Sequence, residues 1–97
     1  MKYAYLDGAA IGGKRALHDA LAEQLGFPEW YGRNLDALYD LLGEESEPVC
    51  IVIHGREAME ARLGGYFRVF LGLLRDLAEE GHDVSVIFND INAMTTI

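Results

Sequence analysis

The sequence predicts an α/β domain, a three-stranded parallel β-sheet packed with α-helices. Short β-branched or aromatic runs alternate with longer runs whose apolar residues recur at helical spacing. Their order is strand, helix, helix, strand, helix, helix, strand. Strands separated by helical crossovers pair in parallel, with right-handed connections. The chain has 97 residues, 51% of them hydrophobic and 25% charged, which fits one modest core and excludes long disorder.

Each element has its own signal. Tyr3–Leu6 is apolar and aromatic and stops at Asp7-Gly8, a strand followed by a turn. Leu17, Leu21 and Leu25 share one helical face after Gly12-Gly13. Gly26 is a natural stop for that helix, with Pro28 two residues on, and no capping side chain stands before Lys14. Residues 27–33 read as a loop. Asn34 is a good N-cap for a second helix with the stripe Leu35, Leu38, Leu42, which Gly43 is expected to end. Glu44 to Pro48 is an acidic connector. Val49–His54 is a continuous apolar run, expected to be a strand covered on both faces. Glu57–Leu63 is a short helix closed by Gly64-Gly65. Phe67, Phe70, Leu71, Leu74 and Leu77 form the strongest stripe, ending at Gly81. Val84–Phe88 is the last strand. The domain is expected over residues 1–90, with a partly mobile tail over 91–97.

Charge and cysteine usage narrow the function. Eight Lys and Arg stand against 16 Asp and Glu, a formal net charge of −8. Phosphate would be repelled over most of such a surface, which argues against nucleic acid and anionic lipid and favours a cationic partner. Cys50 is the sole cysteine, so no intrachain disulfide forms. It lies in an apolar run, where a small buried hydrophobe is the expected role. Asp7 interrupts the N-terminal apolar stretch after four residues, and no segment reaches the ~18 apolar residues of a membrane span. The expected location is the cytoplasm.

The chemically informative region is Pro28–Glu47. It holds six acids (Glu29, Asp36, Asp40, Glu44, Glu45, Glu47) and one base, Arg33, and so carries most of the net charge. Asp36 and Asp40 are i and i+4, on one helix face. Like charges at that spacing cost a helix ~0.2–0.5 kcal/mol, and the fold gains nothing from the pairing. A solvated acidic face is the plainer account. Trp30, Tyr31 and Tyr39 surround the same face in the sequence, and aromatic rings beside placed charges are the usual content of a binding hot spot. No catalytic signal competes. His18, His54 and His82 lack metal-ligand spacing, the glycine pairs match no phosphate loop, and neither Ser46 nor Ser85 is placed as a nucleophile. Two carboxylates on one helix are a poor Mg²⁺ signal. No catalytic residue, cofactor or metal is therefore expected.

The segment Phe-Pro-Glu-Trp-Tyr-Gly-Arg-Asn-Leu-Asp-Ala-Leu-Tyr-Asp, residues 27–40, closely resembles the core motif of the barstar family, intracellular inhibitors of barnase-type ribonucleases. Leu17-His18 and Glu80-Gly81-x-Asp83 also match, so the resemblance spans nearly the whole chain. It implies a barstar-like fold and a small basic extracellular-type ribonuclease as partner. It implies partner-binding roles for Trp30, Asn34, Asp36, Tyr39, Asp40, Gly43 and Asp76. Asp40 matches the aspartate that enters the nuclease's phosphate site, and Asp36 a second interface aspartate. Trp30 replaces an interface tyrosine, Tyr39 a tryptophan, and Asp76 a longer glutamate. Arg33 stands where the best-known member has an acid. Two fixed carboxylates can imitate RNA phosphates and meet the Arg, Lys and His⁺ groups that a nuclease needs. The free protein is expected to be a monomer. The alternative reading is an interaction module of the same fold for a cationic partner that is not a nuclease.

Overall fold

A computed structural model describes residues 1–90; the tail expected over 91–97 lies outside the described residues. The elements are β1 (Lys2–Asp7), α1 (Lys14–Leu25), α2 (Leu35–Glu44), β2 (Val49–His54), α3 (Arg56–Leu63), α4 (Gly65–Glu79) and β3 (Val84–Phe88). The sheet has strand order β1-β2-β3 and both pairings are parallel, in the register Ala4↔Ile51↔Val86. The α/β reading and its three-stranded parallel sheet hold.

Both crossovers step in the same direction across the sheet. Two right-handed crossovers of that kind place their helices on the same face. Burial agrees: Ala4, Leu6, Ile51, Ile53 and Val84 point inward and are buried, together with Leu17 and Leu21 of α1 and Phe67, Phe70, Leu74 and Leu77 of α4. Leu38 and Leu42 of α2 and Met59 of α3 complete one continuous core. The outward positions of the flanking strands, Tyr3, Tyr5 and Ile87, are exposed. β2 was expected to be covered on both faces. Its neighbours shelter Cys50, which is buried, but Val52 is half-buried and His54 exposed, so the outer face is only partly closed.

Local chemistry sets the boundaries. Gly13 stands in extended backbone before α1 with no side-chain cap, while Gly26 ends the helix in the left-handed region at φ 71°. Gly8 packs where a Cβ would lie 2.1 Å from the Gly55 carbonyl oxygen, so no other residue fits between the ends of β1 and β2. Gln24 on α1 serves the free edge of β1. Its Oε1 accepts the Tyr5 N–H at 2.6 Å and its Nε2 donates to the Tyr5 carbonyl at 2.9 Å. That side chain occupies edge groups that another strand would otherwise pair with.

Gly43 does not end α2. The helix runs one residue further, and the chain turns extended at Glu45, with φ −68° and ψ 127°. Glu45 explains the stop. Its carboxylate takes the Lys2 ammonium at 3.0 Å, and Lys2 also reaches the Leu25 carbonyl. The connector is thereby tied to β1 and to the end of α1. No helix among the described residues is long and apolar enough to cross a membrane.

Candidate functional site on helices α2 and α4

The Asn34 side chain accepts the Ala37 N–H at 2.8 Å and starts α2. Its Nδ2 also donates to the Gly32 carbonyl, so Asn34 fixes both the helix start and the preceding loop. Asp36, Tyr39 and Asp40 follow on the exposed side of α2, with Leu38 and Leu42 buried beneath. Asp36 lies in the first turn, where the helix dipole favours an acid. Asp40 lies in mid-helix, with no such benefit and with Asp36 one turn away.

Helix α4 lies alongside. Between the two runs an open groove of about 530 Å³, lined by Leu35, Asp36, Tyr39, Arg68, Gly72 and Asp76 among others. The Tyr39 hydroxyl donates to the Glu80 carboxylate. That hydrogen bond raises the Tyr39 pKa above its ordinary value, and the charges of Glu80, Asp76 and Asp40 push the same way. Asp40, Asp76 and Glu80 thus converge around one ring, and Asp36 lines the same groove. Three of the four were singled out in the sequence. Glu80 entered only as part of the matching turn before the last strand and was given no binding role, although it continues the i, i+4 series from Asp76.

The charge pattern of α4 opposes its own dipole. No acid lies in its first turn and no base in its last; Arg68 lies at the start, and Asp76 and Glu79 near the end. Each such placement costs a helix terminus about 0.3–1 kcal/mol. Gly72 sits mid-helix, where glycine costs about 0.5–1 kcal/mol relative to alanine. A Cβ there would meet nothing closer than the Arg75 Nη2 at 3.9 Å. The fold gains nothing from any of these choices.

The structure redistributes the charge that the sequence concentrates in Pro28–Glu47. Glu45 pairs with Lys2, and Glu47 lies 3.6 Å from the Met1 ammonium. The Lys2 hydrogen bond holds the Glu45 carboxyl below its ordinary pKa. Both acids serve the connector rather than the α2 face. Arg33 adopts left-handed backbone, with φ 51°, and its Nε binds Asp19 at 2.6 Å. Its cation is thereby tied to α1, and it lowers the Asp19 pKa.

The three rings separate. Trp30 is 76% exposed on the loop before α2, and Tyr39 is 36% exposed. Tyr31 does not share their face: it is buried, with the Phe27 ring 4.8 Å away. Its hydroxyl meets His18 Nδ1 at 2.5 Å, and Tyr66 meets His18 Nε2 at 2.6 Å. No local pattern points to Tyr66, but His18 stands three residues before Leu21 and seven before Leu25, on the buried stripe of α1. Gly43 is half-buried, with room for a Cβ 3.9 Å from the His82 ring. Among the described residues no three of His, Cys, Asp and Glu are grouped to hold a metal ion.

Open geometry, exposed rings and convergent carboxylates define a small acidic α/β domain whose candidate site is a surface rather than an enclosed cleft. The chain belongs to the barstar family: residues 1–89 match the family described as Barstar (barnase inhibitor). It is also 37% identical over 84 residues to the Bacillus subtilis (strain 168) protein named "Putative ribonuclease inhibitor YrdF", covering 86% of this chain and 92% of that one.

Proposed function

We propose that this protein inhibits a small basic ribonuclease of the barnase kind by covering its active site. The observation that carries the reading is the convergence of Asp40, Asp76 and Glu80 around Tyr39, with Asp36 in the same groove, in a chain of the barstar family. Asp40 enters the phosphate site of the enzyme and meets its catalytic cations. Asp36 supports it from one turn away, and Asp76 reaches the enzyme from α4. Trp30 and Tyr39 supply rigid contact area at low entropic cost. Asn34 caps the helix that presents the acids, and Gly43 lies in its last turn. Each carboxylate stands in for a phosphate, and charge-assisted hydrogen bonds to Arg and Lys are the strong kind. The enzyme is blocked by occupation, without covalent chemistry and without a cofactor. The inhibitor acts as a monomer in the cytoplasm, before the nuclease is exported. The name of the Bacillus relative supports the same reading.

Titration of the purified protein against a panel of small basic ribonucleases tests it. Stoichiometric loss of RNA cleavage is the expected result. A protein that leaves every member active, yet captures a basic protein without nuclease activity from cells of its source, would point to the alternative module.

A further inference from the structure

We propose that the groove between α2 and α4 receives an acidic side chain of the same basic partner, held between Arg68 and Arg75 above Gly72. The inference rests on the inhibitor reading and extends it to a second subsite of opposite charge. Arg68 is exposed and has no carboxylate within 4 Å among the described residues; Arg75 lies only loosely against its neighbour Asp76, at 3.9 Å. Leu35, Val69 and Leu73 give the groove apolar walls. Gly72 leaves its floor open without any steric need in the free protein. The groove therefore carries both signs: Asp36 and Asp76 line it together with Arg68 and Arg75, Arg75 leans on Asp76, and Arg68 is the cation left over. A partner with cations alone would meet repulsion from Arg68. One that also carries an acid beside its cationic cleft matches both signs, the acid at Arg68 and the cations at the carboxylates. Such matching sets specificity, because a nuclease with a base at that position is rejected.

The sign of one substitution separates this from a general acidic attraction. Arg68→Glu removes a positive charge and adds a negative one on a face that draws in a basic enzyme. Without a docked acid, it leaves binding unchanged or tightens it. With one, it sets like charges together and weakens inhibition about tenfold or more. Gly72→Ala fills the floor of the groove, so it should raise the unfolding midpoint while weakening inhibition several-fold. The experiment measures Kd for wild type, Arg68→Glu and Gly72→Ala against a ribonuclease that the wild type inhibits, with denaturant unfolding of each. Lysine in place of one surface acid of the nuclease should restore the affinity of Arg68→Glu. Unchanged or tighter binding by both variants overturns the groove and leaves the inhibitor reading standing. Failure of the wild type to inhibit any ribonuclease overturns both.

Discussion

Asp40 and His18 mark opposite ends of what a single residue does here. Asp40 is exposed, gains nothing from the helix dipole and repels Asp36. If it fills a phosphate site, Asp40→Ala leaves several enzyme cations buried and unpaired. Truncating one partner of a buried, hydrogen-bonded charge pair costs about 2–5 kcal/mol or more, mainly through dissociation, a range that already draws on complexes of this family. The fold should keep or slightly gain stability, since the lost repulsion is worth about 0.2–0.5 kcal/mol. Inhibition titration and denaturant unfolding of the variant check both halves. Destabilisation beyond about 1.5 kcal/mol would make Asp40 a structural residue. His18 is fully buried, and burial lowers its pKa from the ordinary 6.5; the Asp19 carboxylate opposes that shift and Arg33 adds to it. The neutral ring donates to one of Tyr31 and Tyr66 and accepts from the other. Below pH 6.5 the unfolded chain holds a proton that the folded one refuses, so stability falls as the pH drops from there toward the lower folded value. Asp19 and Glu45 have ordinary values of 3.8 and 4.5 and lowered ones in the fold, so their contributions fade only in stronger acid. Thermal unfolding from pH 8 to pH 5 should show this slope, and His18→Gln should flatten it.

Among the elements, α2 depends most on one side chain. Asn34→Ala removes the cap on the Ala37 N–H and should cost about 1 kcal/mol, within the 0.5–2 range of such caps. The first turn also carries Asp36, so inhibition should weaken in parallel. Urea unfolding and Kd together test this; a lost cap without lost affinity would show that Asp36 is placed by other contacts. The same element shows what a sequence can convey. Local signals located it: the Asn34 cap and the 35/38/42 stripe are visible within ten residues. Its end was misplaced, because Gly43 suggested a stop while the actual stop depends on Lys2, 43 residues from Glu45. Tyr31 was misassigned for a similar reason. A tyrosine beside an exposed tryptophan reads as a surface ring until His18 and the distant Tyr66 are known to lie beneath it. Arg33 and Glu47 were counted in the charge of the Pro28–Glu47 region, and they are held by Asp19 and the N-terminal ammonium. Periodicity conveys elements; ion pairs between elements are not periodic. Asp36 and Asp40 were singled out through the 27–40 segment and Asp76 through the wider resemblance, whereas the placement of Glu80, Arg68 and Gly72 beside them needed α4 against α2.

At the scale of the whole molecule, the net charge of −8 acts before any contact forms. Glu45, Glu47 and Asp19 are paired, while the carboxylates around Tyr39 form a coherent negative patch. A basic nuclease approaching that face is attracted over roughly one Debye length, which salt shortens from about 30 Å at 0.01 M to about 8 Å at 0.15 M. The association rate should therefore fall steeply across that range, while the dissociation rate, set by desolvated pairs at close quarters, changes little. Substitutions divide along the same line. Glu44 is exposed in the last turn of α2, one turn beyond Asp40, and lines a different depression beside Lys2 and Phe27 rather than the α2–α4 groove. Glu44→Gln should therefore lower the on-rate slightly and change the off-rate far less than Asp40→Ala. Asp40→Ala should raise the off-rate at every salt concentration. Stopped-flow association with a competition chase for dissociation separates the two constants. An on-rate flat between 0.01 and 0.15 M salt would show that the acids act through contact alone, and that the excess charge of this chain does not steer its partner.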